Sequence, residues 1–267
     1  MFARFTRRRF LRAAGLCVVP AMSASVGFLR AGESRSWRLV DEFAAPEAKQ
    51  AVAADESRIF VVTNDRVAKY DRSTRQFVAR SLVSPARHLN SAFVWGGKVY
   101  LANSNFPDKP EKSQIYQLHI GPMRLEVFHD FGNFGGSLVW CINDDDYWWC
   151  NFAHYGDDNQ KTFLARFDFD WNETGRWTYP KSVFDRIGKM SFSGGVWYKD
   201  ELLVSDHDNR RLYRFQVPKR GEELQFLGEV AAPLTGQGFA YDPKTGGLIG
   251  IDRARKKVLF MEPAGSA

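Results

Sequence analysis

Short apolar and aromatic runs recur along the chain and are separated by charged, Gly or Asn/Asp turns. The stretch 190–232 contains four such runs in succession: Ser193–Tyr198, Leu202–Ser205, Arg211–Val217 and Leu224–Val230. Partial alternation of apolar and polar residues over about four to eight positions is typical of β-strands, and helical periodicity is rare in this chain. The pattern therefore predicts an all-β fold.

The four-strand pattern repeats about every 40–50 residues, which indicates a repeat architecture. Five units follow one another, at residues 50–82, 91–130, 137–184, 190–232 and 238–261. One four-stranded antiparallel sheet per unit, arranged around a common axis, predicts a five-bladed β-propeller. Six blades is the alternative, if the long third unit contains an extra blade.

The fifth unit has only three strands, and a matching fourth strand precedes the first unit. Trp37–Ala45 (WRLVDEFAA) is similar to LQFLGEVAA at the end of the fourth unit, and each is followed by Pro and then Gln, in AAPEAKQ and AAPLTGQ. We expect the N-terminal strand to complete the last blade, which closes the ring and protects its edges. The predicted propeller spans residues 36–263 and is expected to be monomeric.

Residues 1–31 differ in composition from the rest of the chain. Thr6-Arg7-Arg8-Arg9-Phe10-Leu11-Arg12 precedes a stretch rich in small apolar residues, Ala13–Leu29, as in a signal peptide. Pro20 and several Ser residues make that stretch too weak for a stable membrane span. The motif resembles the twin-arginine export signal, which implies a folded protein exported to the periplasm or beyond. A disordered basic tail is the alternative.

The net charge of +6 is concentrated at the N-terminus. The first 35 residues hold seven arginines against one glutamate, so the remaining chain holds thirty basic and thirty acidic residues. Nucleic-acid binding needs a basic surface on the folded domain. The neutral body therefore argues against a nucleic-acid partner. The expected ligand, a small molecule or a carbohydrate-derived one, is inferred from the polar loops described below.

Two cysteines, Cys141 and Cys150, flank the predicted turn at Asp145-Asp146. Two strands joined there would place them opposite each other. They form either a cross-strand disulfide, which an oxidising compartment would permit, or two buried free thiols. Their spacing matches no metal-binding or redox motif.

Polar residues gather in one class of predicted loops. In a propeller, the loops that enter the inner strands and the loops that join the second and third strands lie on the same face. We predict catalytic roles for His88, His154, His207 and Tyr155, and ligand-binding roles for Asn90, Asn103, Asn105, Asn151, Gln237, Asp252 and Arg253. A pocket with a few convergent polar groups is the usual form of a small-molecule site.

Each of these features also has a structural interpretation. Asn and Asp after a strand are often turn formers, and Asp206-His207-Asp208 is either part of the site or a solvated loop. His154 lies near Trp148-Trp149 and is either a site residue or a core histidine. Gly135-Gly136 and Gly194-Gly195 are expected to let the inner strands approach closely near the axis.

Three chemistries fit the predicted polar face. A divalent metal such as calcium or zinc, held by His207 and Asp206 with the other histidines, would activate water in a hydrolase. Metal-free acid–base chemistry by His or Tyr, with Arg253 holding an anionic group, would suit a lyase or a cyclising enzyme. Binding of a polyol, a sugar or a protein without turnover is the non-catalytic alternative.

The repeats resemble exported bacterial propellers of the gluconolactonase and NHL-repeat type. The blocks NSNFP (103–107), NFAHYG (151–156), SGG (193–195), SDHDNRRLY (205–213) and GQGFA (236–240) are also similar to a family of bacterial propeller proteins from which no activity can be transferred. The lactonase resemblance implies a calcium site of one Glu, two Asn and one Asp. Asn103, Asn151 and Asp206 match its last three ligands.

Overall fold

The computed structural model of the protein describes residues 36–265, so the predicted export signal at residues 1–31 lies outside the described residues. Within the described range the chain forms twenty strands in five separate four-stranded sheets. The five-bladed propeller is therefore confirmed, and the six-bladed alternative is wrong. No helix in residues 36–265 is both long and apolar enough to cross a membrane.

The first three blades follow the predicted units in chain order. Blade one contains β2 (Ala51–Ala54), β3 (Arg58–Val62), β4 (Val67–Asp71) and β5 (Phe77–Arg80). Blade two contains β6 (His88–Trp95), β7 (Lys98–Ser104), β8 (Ser113–His119) and β9 (Arg124–Gly132). Blade three contains β10 (Ser137–Asn143), β11 (Trp148–Ala153), β12 (Phe163–Phe167) and β13 (Glu173–Thr178).

Blade five takes its outer strand from the start of the described chain. Blade four contains β14 (Gly194–Tyr198), β15 (Glu201–Ser205), β16 (Arg211–Gln216) and β17 (Gln225–Ala231). Blade five contains β18 (Ala240–Asp242), β19 (Gly247–Asp252), β20 (Lys257–Pro263) and β1 (Trp37–Ala44). Because β1 pairs antiparallel with β20, from Trp37 opposite Pro263 to Ala44 opposite Lys257, the predicted closure of the ring is confirmed.

One part of the third unit differs from its sequence-based prediction. The pattern RWTYPKSVF predicts a continuous outer strand, whereas β13 ends at Thr178 and Lys181–Phe184 forms a one-turn helix, α1, that follows Pro180. A proline has no backbone N–H to donate to a strand partner, so the ladder stops there, and its fixed φ suits the start of a helix. The loop Gly156–Lys161 forms a 3₁₀ helix between β11 and β12.

The core consists of apolar and aromatic residues packed between neighbouring blades. Trp140 and Trp148 of blade three are buried, and Trp148 packs edge-on against Tyr100 of blade two with ring centroids 5.1 Å apart. Trp149 meets Trp197 of blade four at 5.2 Å. These aromatic residues therefore hold adjacent blades together.

The two cysteines face each other across the first hairpin of blade three. Cys141 of β10 is the register partner of Cys150 of β11, as predicted from their spacing around the turn. Both are buried free thiols, which is the second of the two alternatives left open by the sequence. Burial raises the pKa of each thiol, so neither is a reactive thiolate near neutral pH.

Candidate functional site

All five blades contribute to one enclosed pocket at the axis of the ring, on the face predicted to be polar. Its volume is about 220 Å³. Its lining is Gln50, Asn64, His88, Asn90, Phe106, Val139, Tyr155, Met190, Ser191, Phe192, Ser193, His207, Gln237 and Arg253. At about 30 Å³ for one water in the liquid, this volume corresponds to roughly seven water molecules. The axial pocket therefore suits a small polar molecule, about one sugar ring in size.

Hydrogen bonds between blades fix the backbone around the axial pocket. The backbone N–H of Gly238 donates to the carbonyl of Gln50 (2.9 Å), which joins blade five to blade one. Asn90 Nδ2 donates to the carbonyl of Leu138 (3.1 Å), which joins blade two to blade three. Because the pocket wall is tied across blades, its lining groups are held in place before a ligand binds.

Two glycines of β14 let the inner strands approach each other closely. A Cβ on Gly194 would lie 2.9 Å from Cδ1 of Phe239, and one on Gly195 would lie 2.7 Å from the Trp140 ring. Both separations are far below van der Waals contact, so a larger residue would force the blades apart. The prediction of close packing is therefore confirmed for Gly194 and Gly195, whereas it is wrong for Gly135, where a Cβ would meet no atom within 4 Å.

His88 lies at the first residue of β6 and is half-buried beside Phe106, with ring centroids 5.6 Å apart. Burial, and secondly the positive charge of Arg253, lower the pKa of the His88 imidazole, while a hydrogen bond with Asn90 opposes the shift. The imidazole is therefore neutral at neutral pH and can accept a proton. The positive charge of Arg253 also favours an anion in the axial pocket.

Tyr155 follows β11 and also packs against Phe106, with ring centroids 4.6 Å apart. Burial raises the pKa of Tyr155 above its usual range, against the opposing effect of a hydrogen bond with Ser137. The phenol is therefore protonated at neutral pH and can donate a proton or a hydrogen bond.

His207 reaches the axial pocket from the loop between β15 and β16. Its Nδ1 is hydrogen-bonded to Oδ1 of Asp208 at 2.7 Å, which orients the imidazole ring. The loop packs closely on blade five: Gly236 has a φ of +49°, and a Cβ there would lie 2.2 Å from the carbonyl oxygen of His207. Only glycine fits this position without moving the loop.

Several residues predicted from the sequence lie elsewhere and have structural roles. Oδ1 of Asn103 accepts hydrogen bonds from the backbone N–H groups of Arg87 and His88, each at 3.1 Å. Asn105 closes the β7–β8 loop, because Oδ1 accepts from the N–H of Lys112 (2.7 Å) and Nδ2 donates to the carbonyl of Pro110 (3.0 Å). The two asparagines therefore shape the loops around the axial pocket without lining it.

His154, Asn151, Asp206 and Asp252 are likewise outside the pocket lining. His154 donates its backbone N–H to Thr162 Oγ1 (3.0 Å), and Asn151 Oδ1 accepts from the buried Tyr179 hydroxyl (2.7 Å). The buried carboxylate of Asp206 accepts from the Tyr213 hydroxyl, also at 2.7 Å, and from the backbone N–H groups of its own loop. Asp252 is ion-paired with Arg255 at 2.8 Å and with Arg210 at 3.2 Å.

The donor groups do not fit the metal chemistry expected from the sequence. No Asp or Glu lines the axial pocket, and Asp206 uses its oxygens in the loop. Residues 36–265 contain no group of three or more His, Cys, Asp or Glu placed to hold a metal ion. Calcium prefers carboxylate and carbonyl oxygens, and zinc takes three or four protein ligands from His, Cys, Asp and Glu. The lactonase-type calcium set of Asn103, Asn151 and Asp206 is not brought together at the axis.

Two glutamines of the pocket lining, Gln50 and Gln237, are related by the repeat. Gln50 and Gln237 are equivalent residues of the repeat, each preceding the inner strand of its blade, and both are buried. Gln50 Nε2 donates to Asn64 Oδ1 at 2.6 Å. The matching sequences AAPEAKQ and AAPLTGQ indicate that the two glutamines are equivalent. Of the two, only Gln237 is among the ligand-binding residues predicted from the sequence.

Comparison with solved structures places this chain among propellers. The crystal structure of glutaminyl cyclase from Myxococcus xanthus aligns with a TM-score of 0.58 and 10% identity, over 85% of this chain and 96% of that one. A luciferin-regenerating enzyme aligns with a TM-score of 0.51 and 12% identity, over 86% of this chain and 96% of that one. At these identities, the similarity shows a shared β-propeller fold.

No protein-family model matches the chain, and no curated protein sequence does either. The propeller fold is therefore supported by similarity to solved structures, and no matching sequence or family supplies an activity. The chemistry of the axial pocket has to be argued from its own residues.

Proposed function

We propose that the protein binds a sugar acid in the axial pocket and acts on it as a metal-free lyase. The observation that carries this proposal is the lining itself, in which Arg253, two imidazoles and a phenol converge with four amide side chains and no carboxylate. Arginine recognises a carboxylate through charge-assisted hydrogen bonds. Amide side chains suit the hydroxyl groups of a sugar, because each amide offers both donors and acceptors.

The reaction that best suits these groups is elimination next to a carboxylate. Arg253 would bind the carboxylate and stabilise the negative charge that develops when the neighbouring C–H bond breaks. Neutral His88 would take that proton, and the electron pair would form a C=C bond as the bond to the β-oxygen breaks. Tyr155 would give a proton to the departing oxygen. Solvent exchange then returns both groups to their starting protonation states.

The substrate must carry a leaving oxygen at the β-carbon, as a uronate does when another sugar is linked to its O4. We therefore propose incubation of the protein with digalacturonate and detection of the conjugated double bond by ultraviolet absorbance. His88→Gln and Tyr155→Phe are expected to lose at least about a hundredfold in turnover, since general acid–base groups contribute roughly 10²–10⁴-fold. His154→Gln serves as a control, because His154 lies outside the axial pocket.

The same experiment separates catalysis from binding alone. If galacturonate binds and Arg253→Gln weakens it, while no unsaturated product forms on digalacturonate, the protein is a binding module and the lyase reaction is wrong. If neither galacturonate nor glucuronate binds, the sugar-acid proposal is wrong as well.

Export by the twin-arginine route is part of this proposal. It is supported by the leader motif at residues 6–12, and a monomeric exported enzyme would meet acidic sugars outside the cytoplasm. Replacement of Arg7 and Arg8 by Lys is expected to retain the full-length protein in the cytoplasm of a bacterial host. Cell fractionation would check this, and unchanged export of that variant would contradict the proposal.

A further inference from the structure

A second, larger hollow adjoins the axial pocket where the last blade meets the first. Its volume is about 670 Å³. The hollow, here called the seam groove, is lined by Pro46, Glu47, Lys49, Thr63, Asn64, Asp65, Arg66, Arg80, Arg253 and Lys256. Asn64 and Arg253 line both spaces, so the seam groove and the axial pocket share a wall on the same face of the ring.

The seam groove carries five basic side chains against two acidic ones. The acidic side chains already have partners: Glu47 accepts from the Tyr70 hydroxyl at 2.5 Å and is ion-paired with Arg80, and Asp65 contacts Arg66 at 3.7 Å. The side-chain ammonium groups of Lys49 and Lys256 and the guanidinium of Arg253 make no hydrogen bond or ion pair with any residue in 36–265. Three positive charges are therefore uncompensated within one concave surface.

The environment of Arg66 supports the same conclusion. Its Nη1 donates to the carbonyl of Ser81 at 2.8 Å, which holds the side chain in place. Its Nε is buried and has no hydrogen-bond partner among the described residues, because its ion-pair contact with Oδ2 of Asp65, at 3.7 Å, is too long for a hydrogen bond. A buried donor without a partner is uncommon in folded proteins and is expected to find one in water or in a ligand.

We infer that the seam groove binds the anionic sugars linked to the one in the axial pocket, so that the ligand is a linear acidic oligosaccharide. This inference rests on the proposed function, because it extends the same site. One sugar fills the enclosed axial pocket, and Arg253 lies at the passage between the two spaces. The carboxylates of the following sugars would then meet Lys49, Lys256 and Arg66.

Charge, rather than shape alone, is expected to select this ligand. An exposed ion pair contributes roughly 0.2–1 kcal/mol, so two lysine contacts together give about a two- to thirtyfold gain in affinity. Such a gain is screened by salt: the Debye length falls from roughly 14 Å at 0.05 M to about 4 Å at 0.5 M ionic strength. A neutral oligosaccharide of the same length should show neither the gain nor its salt dependence.

The test compares galacturonate, trigalacturonate and neutral maltotriose by calorimetric titration. All proteins carry His88→Gln, so that the acidic trimer is not consumed. The test variant is Lys49→Gln/Lys256→Gly; Lys256 has a φ of 54°, so glycine removes its charge without backbone strain. The control is Lys98→Gln/Lys199→Gly, which makes the same charge change at opposite-face turns, where Lys199 has a φ of 56°.

We expect trigalacturonate to bind about tenfold more tightly than galacturonate at low salt, and the gain to disappear in the test variant and persist in the control. Equal affinity for the two acidic ligands, or a gain that survives in the test variant, would overturn the seam-groove inference and leave the axial-pocket proposal intact. If galacturonate does not bind even to protein with His88 restored, the proposed function itself fails.

Discussion

The pairing of His88 with Arg253 is the most informative residue-scale feature. Two groups that both carry positive charge when protonated face the same small space, with Asn90 and Phe106 beside the imidazole. Such a pair costs electrostatic free energy unless one group is neutral or an anion lies between them. The arrangement therefore keeps the imidazole neutral in the free protein and attracts a carboxylate to it.

Replacement of Arg253 by Gln is expected to raise the pKa of His88. The positive charge of Arg253 is the second cause of the lowered pKa, so its removal should bring the pKa closer to the ordinary value near about 6.5, while burial keeps it below that value. NMR titration of the imidazole would measure this. Lys49→Gln, which removes a charge from the seam groove only, should leave the titration unchanged. A lower pKa of His88 in the Arg253→Gln variant would contradict the conclusion that the charge of Arg253 lowers it.

At the scale of secondary-structure elements, strand β1 decides whether the ring is closed. It forms the outer edge of blade five, and most of its residues are exposed. Trp37 is the exception, because it is buried and packs edge-on against Tyr198 of blade four at 4.9 Å. This contact anchors the closing strand to a neighbouring blade as well as to β20.

Trp37→Ala is expected to lower the free energy of unfolding by about 3–5 kcal/mol, the usual cost of truncating a buried large aromatic residue. Phe77→Ala is the matched control, because Phe77 also lies on an outer strand but is 51% exposed. Phe77→Ala should lower the free energy of unfolding by less than about 1 kcal/mol, as most surface substitutions do. Urea unfolding would compare them, and equal losses would mean that β1 has no special role in closure.

At the scale of the whole molecule, three half-buried histidines make stability depend on pH. Burial is the largest cause of the lowered pKa of His88, His129 and His154. In the unfolded chain these imidazoles bind protons near pH 6.5, whereas in the folded protein they bind protons only at lower pH. The unfolded state therefore binds more protons in that window, and stability increases as pH increases through it.

The melting temperature is accordingly expected to fall as the pH is lowered from about 7.5 to about 5.5, before most carboxylates titrate. A variant with Gln at positions 88, 129 and 154 should show a flatter dependence over the same range. Scanning calorimetry at several pH values would measure both proteins. A melting temperature that rises on acidification would contradict the assigned direction of the three shifts.

The amino-acid sequence by itself determined the architecture of this protein. Alternation of apolar and polar residues locates strands because it depends on a local period of two, and repetition of that pattern counts the blades. The match between WRLVDEFAA and LQFLGEVAA identified β1 as the missing strand of blade five. The same register placed the polar loops on one face, and His88, Asn90, Tyr155, His207, Gln237 and Arg253 do line the axial pocket.

Only the tertiary structure decided which polar residues of that face are available to a ligand. Asn103 and Asp206 look like site residues in the sequence, yet their side chains are used in hydrogen bonds that hold loops. An amide or carboxylate side chain can either hold a loop or line a cavity, and which of these it does depends on where the folded chain places its hydrogen-bond partners. The seam groove is also decided by the tertiary structure, because residues 46–80 and 253–256 meet only when the ring closes.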